Sequence, residues 1–320
     1  MNKNIDKSDI KAQEKSEFKE WFDFTKKEFV KNINIVKQLV LRSIKVQYRN
    51  SVIGVFWTIL NPLLNMLVMY LVFSSMFSRG GTTTEVDKAT YALYLLCGNI
   101  VFGMMRTATF QSLPSIVQNR GLLTKNKMSY NVFPLSHNLS AVVNFGFSFV
   151  ALLGVMLVVW IQGQAVFSVN IFRVFIVLPA LFLFSYGLSL VLSAMYTFFR
   201  DIMHFYNVFL TLWMYLTPIF YNLSMFGKDF SGKFMETVIK LNPMYYYVEY
   251  FRDVVYRCSA HQAVVDKMQA AGETVSQVMS QAALLPGAWE TAILYIIGIA
   301  TTLIGAIVFM ATKRRFIYNI

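Results

Sequence analysis

Residues 199–221 have the sequence FRDIMHFYNVFLTLWMYLTPIFY, with a charged pair at one end of an apolar aromatic run and a proline near the other. The run from 205 to 225 is long enough to cross a bilayer core of about 30 Å. Arg200 and Asp201 are expected in a short turn, where they can cap helix ends and pair with each other. Pro218 removes one backbone hydrogen bond, so we expect this span to end early.

The composition of the whole chain is that of a membrane protein. Hydrophobic residues make up 56% of the chain and charged residues 14%, and the mean hydropathy is +0.49. The predicted fold is an all-α integral membrane protein with six transmembrane helices. Besides 205–225, the apolar runs that predict them lie near 54–77, 89–110, 139–160, 172–198 and 289–311.

The distribution of positive charge predicts the orientation. Segments assigned to one side of the membrane contain nineteen of the 29 Lys and Arg residues. Because positive flanks stay in the cytosol, both termini are predicted to be cytosolic. Residues 1–17 lack the apolar core of a signal peptide and are predicted to form a disordered cytosolic tail, and residues 312–320 a basic one. Residues 54–311 form the predicted membrane domain.

Residues 18–53 precede the first span and are predicted to contain an amphipathic helix at the membrane surface. Apolar residues from Phe18 to Ile44 recur at a spacing near 3.6, with lysines between them. Simple anchoring and docking of a partner protein remain equal alternatives for this helix. Gly54 permits a tight bend into the first span, and Pro62 predicts a bend within it.

The predicted cytosolic loop 111–138 combines charge with apolar side chains. Leu122, Leu123 and the pair Phe133–Pro134 lie among polar residues that include Arg120 and Lys125. A short helix that inserts into a groove of another protein needs such apolar anchors ringed by charge. We favour docking over a solvated connector because exposed apolar groups beside polar ones mark interaction sites.

After the fifth span, residues 226–256 are too polar to cross the membrane and too apolar to be free in water. The segment contains Asn242–Pro243 and the pair Arg252–Asp253 among aromatic residues. Irregular backbone at membrane depth is tolerated where protein or a wet cavity surrounds it, so we predict a re-entrant pair of outer helices. Residues 257–288 are predicted to form a small external helical insert.

Several chemistries lack the residues that they need. The chain has no GxxxxGK[ST] sequence to hold nucleotide phosphates, so it is not expected to hydrolyse ATP alone. The three histidines and two cysteines are scattered, which predicts no catalytic site and no metal site. No nucleic-acid motif accompanies the net charge of +12. We therefore expect no cofactor on this chain.

Five blocks together resemble the membrane permeases of ABC-type polysaccharide exporters, which export lipid-linked O-antigen, capsule and teichoic acid chains. They are RSIKVQYRNSVIGVFWTILNPLL (42–64), NRGLLTKNKMSYNVFPL (119–135), FRDIMHFYNVFLTLWMYLTPIFY (199–221), LNPMYYYVEYFRDVVY (241–256) and VFMATKRRF (308–316). The blocks cover nearly the whole chain in the family's order.

The resemblance implies a homodimer in the bacterial inner or plasma membrane, with two separate cytosolic ATPase subunits that use ATP and Mg²⁺. It makes the loop around Asn119 a coupling helix and the segment before the first span an interface helix. It also implies that the re-entrant pair forms an outer gate. The coupling residues are Asn119, Arg120, Leu122, Leu123, Lys125, Phe133 and Pro134, and the interface-helix residues are Arg42, Lys45 and Arg49. The hinge and gate residues are Gly54, Pro62, Arg200, Asp201, Pro218, Asn242, Pro243, Arg252 and Asp253.

Aromatic side chains are candidates to line a path for a glycan, because their flat faces suit sugar rings. Phe205, Phe209 and Trp213 recur every four residues and form one stripe on a helix. Packing against lipid or another span is an equal alternative for this stripe, and the same holds for the run 245–247, which is Tyr245, Tyr246 and Tyr247. Arg106 lies in the second span, where it can bind a lipid diphosphate or snorkel to the surface.

The resulting prediction is the permease subunit of an ATP-driven exporter that moves a lipid-linked polysaccharide or polyol-phosphate polymer outward. A membrane-embedded glycan-modifying enzyme and a passive channel are the alternatives. Turnover or conduction by the isolated chain without any ATPase would favour them.

Overall fold

The computed structural model describes residues 33–47, 54, 56–79, 90–125, 129–221, 223, 230–270 and 286–319. The predicted tail 1–17, Arg49, the second part of the insert at 271–285 and the side chains after 312 lie outside these described residues. Throughout the described part the chain is helical and contains no β-strand. The predicted all-α class is therefore confirmed.

Twelve α-helices are defined in the described part of the chain. They are α1 (33–47), α2 (Phe56–Arg79), α3 (Tyr91–Ser112), α4 (Ser115–Gln118), α5 (Arg120–Lys125), α6 (Val132–Ile161), α7 (Val174–Phe198), α8 (Ile202–Leu216), α9 (Phe230–Leu241), α10 (Pro243–Arg252), α11 (Cys258–Ala270) and α12 (Ala288–Asn319). A 3₁₀ turn, Val169–Arg173, precedes α7, and a π-helical turn, Asp253–Arg257, joins α10 to α11.

Among the described residues, four helical segments are long and apolar enough to cross a membrane. They are Tyr91–Ser112, Val132–Ile161, Val169–Phe198 and Ala288–Thr312. They correspond to four of the six predicted spans, and the chain is a membrane protein. In the other two predicted spans, Ile202–Leu216 is a shorter apolar helix, and Phe56–Val72 is the apolar part of α2 whose side chains the structure describes.

The predicted span 205–225 is helical only as far as Leu216. Thr217 is extended, with φ −89° and ψ 129°. A residue before proline is disfavoured in the α conformation, so Pro218 ends α8 through the residue that precedes it. The helix spans about 22 Å at 1.5 Å per residue, which is shorter than a bilayer core.

Helix α3 lies at the centre of the core and contacts α2, α6, α7, α8 and α10. Its residues Leu93, Leu96, Cys97, Val101 and Met105 are fully buried. The most extensive pairing joins α7 to α12. There Gly187 and Gly305 lie against each other's helix backbone, since a Cβ on either would overlap main-chain atoms of the other helix. Small residues allow this close approach of membrane helices.

Helices α9 and α10 meet at Asn242, which begins α10. The Asn242 side chain accepts a hydrogen bond from the Met244 N–H at 3.0 Å, and Pro243 occupies the first helical position. An N-cap asparagine followed by proline is a common helix start. The same Oδ1 accepts from Trp213 Nε1 at 2.7 Å, so the cap also joins α10 to α8.

Candidate functional site

A charge cluster lies at the end of α10 and in the π-helical turn, and it consists of the fully buried Arg252 and the half-buried Glu249, Asp253 and Arg257. Glu249 bridges both arginines, with Oε1 2.7 Å from Arg252 Nη1 and Oε2 2.6 Å from Arg257 Nη1. Asp253 lies 2.5 Å from Arg257 Nη2. The two acids and two bases balance, as a buried ionic group requires. Single-turn π-helical insertions of this kind are frequent at functional sites.

Arg252 joins three parts of the molecule. Its guanidinium is fully buried and donates to the Tyr94 carbonyl from Nε at 3.2 Å and from Nη2 at 3.1 Å. Nη2 also donates to the Ile219 carbonyl at 3.2 Å. The guanidinium carbon lies 3.4 Å from the centre of the Tyr94 ring, a cation–π arrangement. Arg252 therefore joins α10 to α3 and to the turn after α8.

The same turn is held by two tyrosines of α3. Tyr91 donates to the Phe220 carbonyl at 3.1 Å, and Tyr94 donates to the carbonyls of Pro218, at 3.1 Å, and Tyr221. Pro218 is buried here. Carbonyls of the irregular backbone after α8 thus accept hydrogen bonds from side chains of α3.

The pKa values of Glu249 and Asp253, the two acids of the charge cluster, are shifted in opposite directions. Burial is the largest influence on the pKa of Glu249 and raises it, but Arg257 and Arg252 together outweigh burial and hold that pKa below its ordinary value. Burial raises the pKa of Asp253, and Arg257 offsets only part of that increase. Glu249 is therefore the carboxylate that the fold stabilises in its charged form.

A polar cleft of about 400 Å³ lies between α2, α3 and α6, with the end of α1 at its edge. Asn61 and Asn65 line it from α2, and Asn144 lines it from α6. From α3, the lining residues Asn99, Gly103 and Arg106 recur at a spacing of three to four, which is one face of a helix, and Gln111 lines the cleft further along. A polar face within an apolar helix marks contact with protein, water or a polar ligand.

Arg106 is exposed at this cleft. Within the described residues no carboxylate lies within ion-pair distance of its guanidinium. Asn144 Nδ2 is 3.5 Å from Gln47 Oε1 across the mouth of the cleft, and Asn144 Oδ1 is buried without a hydrogen-bond partner. The cleft thus combines a cation with amide groups and leaves hydrogen-bonding capacity unused.

The loop predicted to couple to a partner forms α4, α5 and the start of α6. Asn119 lies between α4 and α5, where its side chain donates to the Ser115 carbonyl at 2.8 Å and its own carbonyl accepts from Leu122 N at 3.0 Å. Phe133 and Pro134 are buried, with Phe133 1% exposed. These two residues therefore fix the segment to the helices rather than offering an apolar anchor outward.

Accessibility to a partner protein differs among Arg120, Leu122 and Leu123. Arg120 is exposed and Leu122 is half-buried. Leu123 packs against a small buried cluster that contains Ile116 of α4 and Phe309 of α12. The outward surface of this segment is therefore provided by Arg120 and Leu122, while Leu123 belongs to the packing. The Lys125 side chain lies outside the described residues.

Helix α1 borders a second cavity of about 420 Å³, which lies between α1 and the segment 118–137. We call it the vestibule. Arg42 lines it from α1 and His137 from α6, and Gln47 and Gln111 line both the vestibule and the polar cleft. Lys45 is exposed on α1.

Comparison with known proteins shows the family. The family model described as ABC-2 type transporter matches residues 35–256, which include nearly all of α1, helices α2 to α10 and three members of the charge cluster, Glu249, Arg252 and Asp253. The chain belongs to the ABC-2 type transporter membrane family.

Curated relatives of this ABC-2 membrane protein are named as export permeases or as a transport protein. It is 31% identical over 208 residues to the O-antigen export system permease protein RfbA of Myxococcus xanthus, covering 64% of this chain and 74% of the relative. It is 24% identical over 276 residues to RfbA of Klebsiella pneumoniae, covering 86% and 90%. It is 22% identical over 221 residues to the polysialic acid transport protein KpsM of Escherichia coli, covering 69% and 80%. The family recognised from the five sequence blocks is confirmed.

The aromatic residues predicted to line a path occupy different environments in this ABC-2 chain. Phe205 and Phe209 are exposed on α8, at 75% and 49%. Trp213 is half-buried between Phe102 and Phe184 and bonded to Asn242. Within the predicted stripe, Phe205 and Phe209 are thus exposed, whereas Trp213 packs against other side chains.

The three predicted path tyrosines also differ. Tyr247 is fully buried and lies 2.8 Å from the Leu294 carbonyl and 3.4 Å from the Ala180 carbonyl, so its hydroxyl joins α10 to α12 and α7. Tyr245 and Tyr246 are half-buried and stack edge to face, with ring centres 5.2 Å apart.

The remaining hinge candidates are Gly54, Arg200 and Asp201, which lie at turns, and Pro62, which lies within a helix. Gly54 has φ +57°, the left-handed conformation that favours glycine, and its carbonyl accepts from Trp57 N at 3.3 Å. Pro62 lies inside α2. Arg200 and Asp201 are both exposed in the turn before α8. The Asp201 side chain makes no capping bond there, although its carbonyl accepts from His204 N at 3.0 Å.

Sequence reasoning did not single out Glu249 as the bridge between two arginines, nor the polar cleft. A signal for the cleft existed, because Asn61 and Asn65 lie four residues apart within the first apolar run and so share a helix face. Asn99 and Arg106 have the matching spacing of seven in the second run. Only the folded structure shows that α2, α3 and α6 come together to form one cleft.

Proposed function

We propose that this chain is the membrane permease subunit of an ATP-driven exporter that moves a lipid-linked polysaccharide or polyol-phosphate polymer from the cytosolic to the outer side of a bacterial inner or plasma membrane. The observation that carries the proposal is the similarity to O-antigen export permeases over 86% of the chain. The further similarity to a polysialic acid transporter indicates that the substrate class is a polysaccharide.

The proposed assembly is a homodimer of six-span subunits with cytosolic ATPase subunits beneath it. The absence of a phosphate-binding GxxxxGK[ST] sequence supports a separate subunit for ATP and Mg²⁺. In this assembly α2 and α8 contribute the two further spans, and both carry many exposed apolar side chains. Such surfaces need lipid or a second copy of the chain to cover them.

The segment from α4 to α5 is proposed to transmit the movement of the ATPase. Arg120 and Leu122 form its outward surface, and Leu123, Phe133 and Pro134 join it to the membrane helices. A contact made at the outward surface is therefore passed directly to α6, because Phe133 and Pro134 lie in its first turn.

The polymer path is proposed to include the polar cleft, with Arg106, and the exposed rings of α8. Arg106 is proposed to face a polar passage, because an exposed cation without a described acidic partner is unfavourable against lipid. Phe205 and Phe209 offer apolar faces to sugar rings. The charge cluster around Arg252 is proposed to hold the outer gate, since it joins α10 to the outer half of α3.

A variant with Arg120→Glu and Leu122→Asp tests the docking surface. We expect the doubly substituted chain to reach the membrane in normal amounts but to lose co-purification with its ATPase subunit and to lose ATP-dependent export. The reason is that the changes reverse the charge at Arg120 and place a charge at Leu122, the two residues proposed to contact the ATPase. The measurement is affinity purification of the tagged chain followed by quantification of the ATPase and of exported glycan.

Lys233→Glu is the control, because Lys233 is an exposed residue of α9 on the predicted outer side. It should leave the complex and export unchanged. Leu123 is left intact because its substitution would disturb packing. An intact complex with full export in the double variant would rule out this docking surface, and glycan turnover by the chain without an ATPase would argue for an enzyme.

A further inference from the structure

The polar cleft and the vestibule are adjacent cavities within a single copy of the chain. Gln47 and Gln111 line both cavities. From Gln111, the cleft side of α3 continues to Arg106 and Asn99, a distance of about 18 Å along the helix. A route through both cavities would begin beside α1 and the segment that follows α4, and it would end deep between α2, α3 and α6.

The side chains along this route are suited to a phosphate-bearing ligand. No Asp or Glu lines either cavity in the described part of the chain, whereas each cavity contains one arginine, Arg42 in the vestibule and Arg106 in the cleft. A guanidinium binds phosphate oxygens in a bidentate manner. The same walls would disfavour a cation, because nothing there compensates its charge.

Amide groups occupy the rest of the cleft. Asn61, Asn65, Asn99 and Asn144 each have both a donor and an acceptor, which is the pairing that a sugar hydroxyl can satisfy at both of its sites. The Oδ1 of Asn144 has no hydrogen-bond partner but is buried, so a ligand would reach it only after this side chain turns. An arginine followed by a row of amides matches a phosphate attached to a sugar.

We propose that each copy of the chain contains its own loading route for the phosphate-bearing head group of a lipid-linked glycan. The phosphate is held first by Arg42 in the vestibule and then by Arg106 in the cleft, and the attached sugars contact the asparagines. This inference rests on the proposed export function and adds where the substrate enters. It differs from a route formed only between two copies, because every lining residue belongs to one copy.

Gly103 gives a way to close the route without disturbing the fold. It lines the cleft, and a Cβ built on it has no atom within 4 Å. Gly103→Leu would therefore extend a side chain into the cleft while improving the helix propensity of α3. Gly154→Leu is the matched control, because Gly154 lies within α6, has the same open space and does not line either cavity.

The first test measures binding of a short prenyl diphosphate. Radiolabelled farnesyl diphosphate is titrated onto the full chain in nanodiscs of zwitterionic lipid, with farnesol and inorganic pyrophosphate as competitors. We expect Arg106→Gln, Arg42→Gln and Gly103→Leu each to weaken binding at least tenfold. Lys37→Gln, which removes a charge from α1 away from the vestibule, and Gly154→Leu should leave binding within twofold.

Three outcomes of this test would overturn the inference. The first is equal binding by Arg106→Gln and Lys37→Gln. The second is competition by farnesol as strong as that by farnesyl diphosphate, which would mean recognition of the prenyl chain alone. The third is competition by inorganic pyrophosphate at the same concentration as farnesyl diphosphate, which would mean a site for soluble phosphate rather than for a lipid head group.

The second test separates this inference from the export function. ATP-dependent export is measured with the ATPase subunit and the wild-type, Gly103→Leu or Gly154→Leu chain. Export lost only with Gly103→Leu supports the loading route. Full export with Gly103→Leu overturns the route while the export function stands. Wild-type chain that binds the probe but exports no glycan would instead refute the export function.

Discussion

Arg252 requires several polar partners, because a fully buried guanidinium needs a partner for every nitrogen. Glu249 provides the charge, and the carbonyls of Tyr94 and Ile219 accept the remaining bonds. Gly98 makes room for this group, since a Cβ there would lie 2.8 Å from Arg252 Nη2. Arg252 thus holds the irregular turn after α8 together with Tyr91 and Tyr94.

Arg252→Ala should destabilise the chain by about 3–5 kcal/mol, because it leaves Glu249 with one partner fewer and removes the donors from two buried carbonyls. The measurement is the thermal unfolding midpoint in detergent. Lys240→Ala is the control, because it breaks an exposed ion pair with Glu236 and should change stability by about 0.5 kcal/mol or less. Equal midpoints for the two variants would refute the structural role of Arg252.

Glu249 and Asp253 should respond differently to acid. The pKa of Glu249 is lowered in the folded state, so its stabilising contribution is present at neutral pH and is lost as the pH falls below about 4.3. The pKa of Asp253 is raised in the folded state, so its charged form lowers the stability of the fold at neutral pH. This destabilisation disappears when the carboxyl is protonated in acid. Glu249→Gln should therefore cost more stability at pH 7 than Asp253→Asn.

Unfolding midpoints of both variants and the wild type between pH 7 and pH 3.5 would measure this difference. The loss of stability in acid should be smaller in Glu249→Gln than in the wild type and should persist in Asp253→Asn. The same acid response in both variants would show that the two carboxylates are equivalent.

At the scale of elements, the pairing of α7 with α12 depends on backbone contact rather than on side-chain burial. Gly187 and Gly305 allow the two helices to touch, and Thr302 adds a hydrogen bond to the Leu183 carbonyl at 2.7 Å. Membrane helices have no hydrophobic driving force between them, so such close packing supplies the association.

Gly187→Ala should destabilise this pair by about 1–3 kcal/mol, since its Cβ would overlap the Thr301 backbone and force the helices apart. Gly154→Ala, on the open side of α6, should be neutral or stabilising by up to about 1 kcal/mol. Thermal unfolding of the two variants measures the contrast. A Gly187→Ala chain as stable as the Gly154→Ala chain would contradict the close contact.

The early end of α8 was predictable from Pro218, because the restriction that proline places on the preceding residue is local. The start of α10 at Asn242–Pro243 was predictable for the same reason, because an asparagine cap followed by proline acts locally. The burial of Phe133 was not predictable, because an apolar residue beside charged ones suits both an external anchor and an internal contact. Only the packing of α6 against its neighbours decides between them.

For the whole molecule, hydropathy and charge predicted the class and the main spans, and the sequence blocks predicted the family. The polar cleft could not be derived in this way, since its asparagines come from three helices whose mutual rotation is set by tertiary packing. The hydrogen bonds of Arg252 could not be derived from the sequence either, because the acceptors at Tyr94 and Ile219 are far from it along the chain.

The most direct test of the export function is the side of the membrane on which lipid-linked glycan accumulates in host cells. Cells with the intact gene are compared with cells that lack it and with cells whose ATPase subunit is inactive, using a membrane-impermeant label on spheroplasts. We predict outer-side glycan only in the first strain, with unaltered glycan retained on the cytosolic side in the other two. Outer-side glycan in the strain without the gene, or in the strain without ATPase activity, would contradict the account.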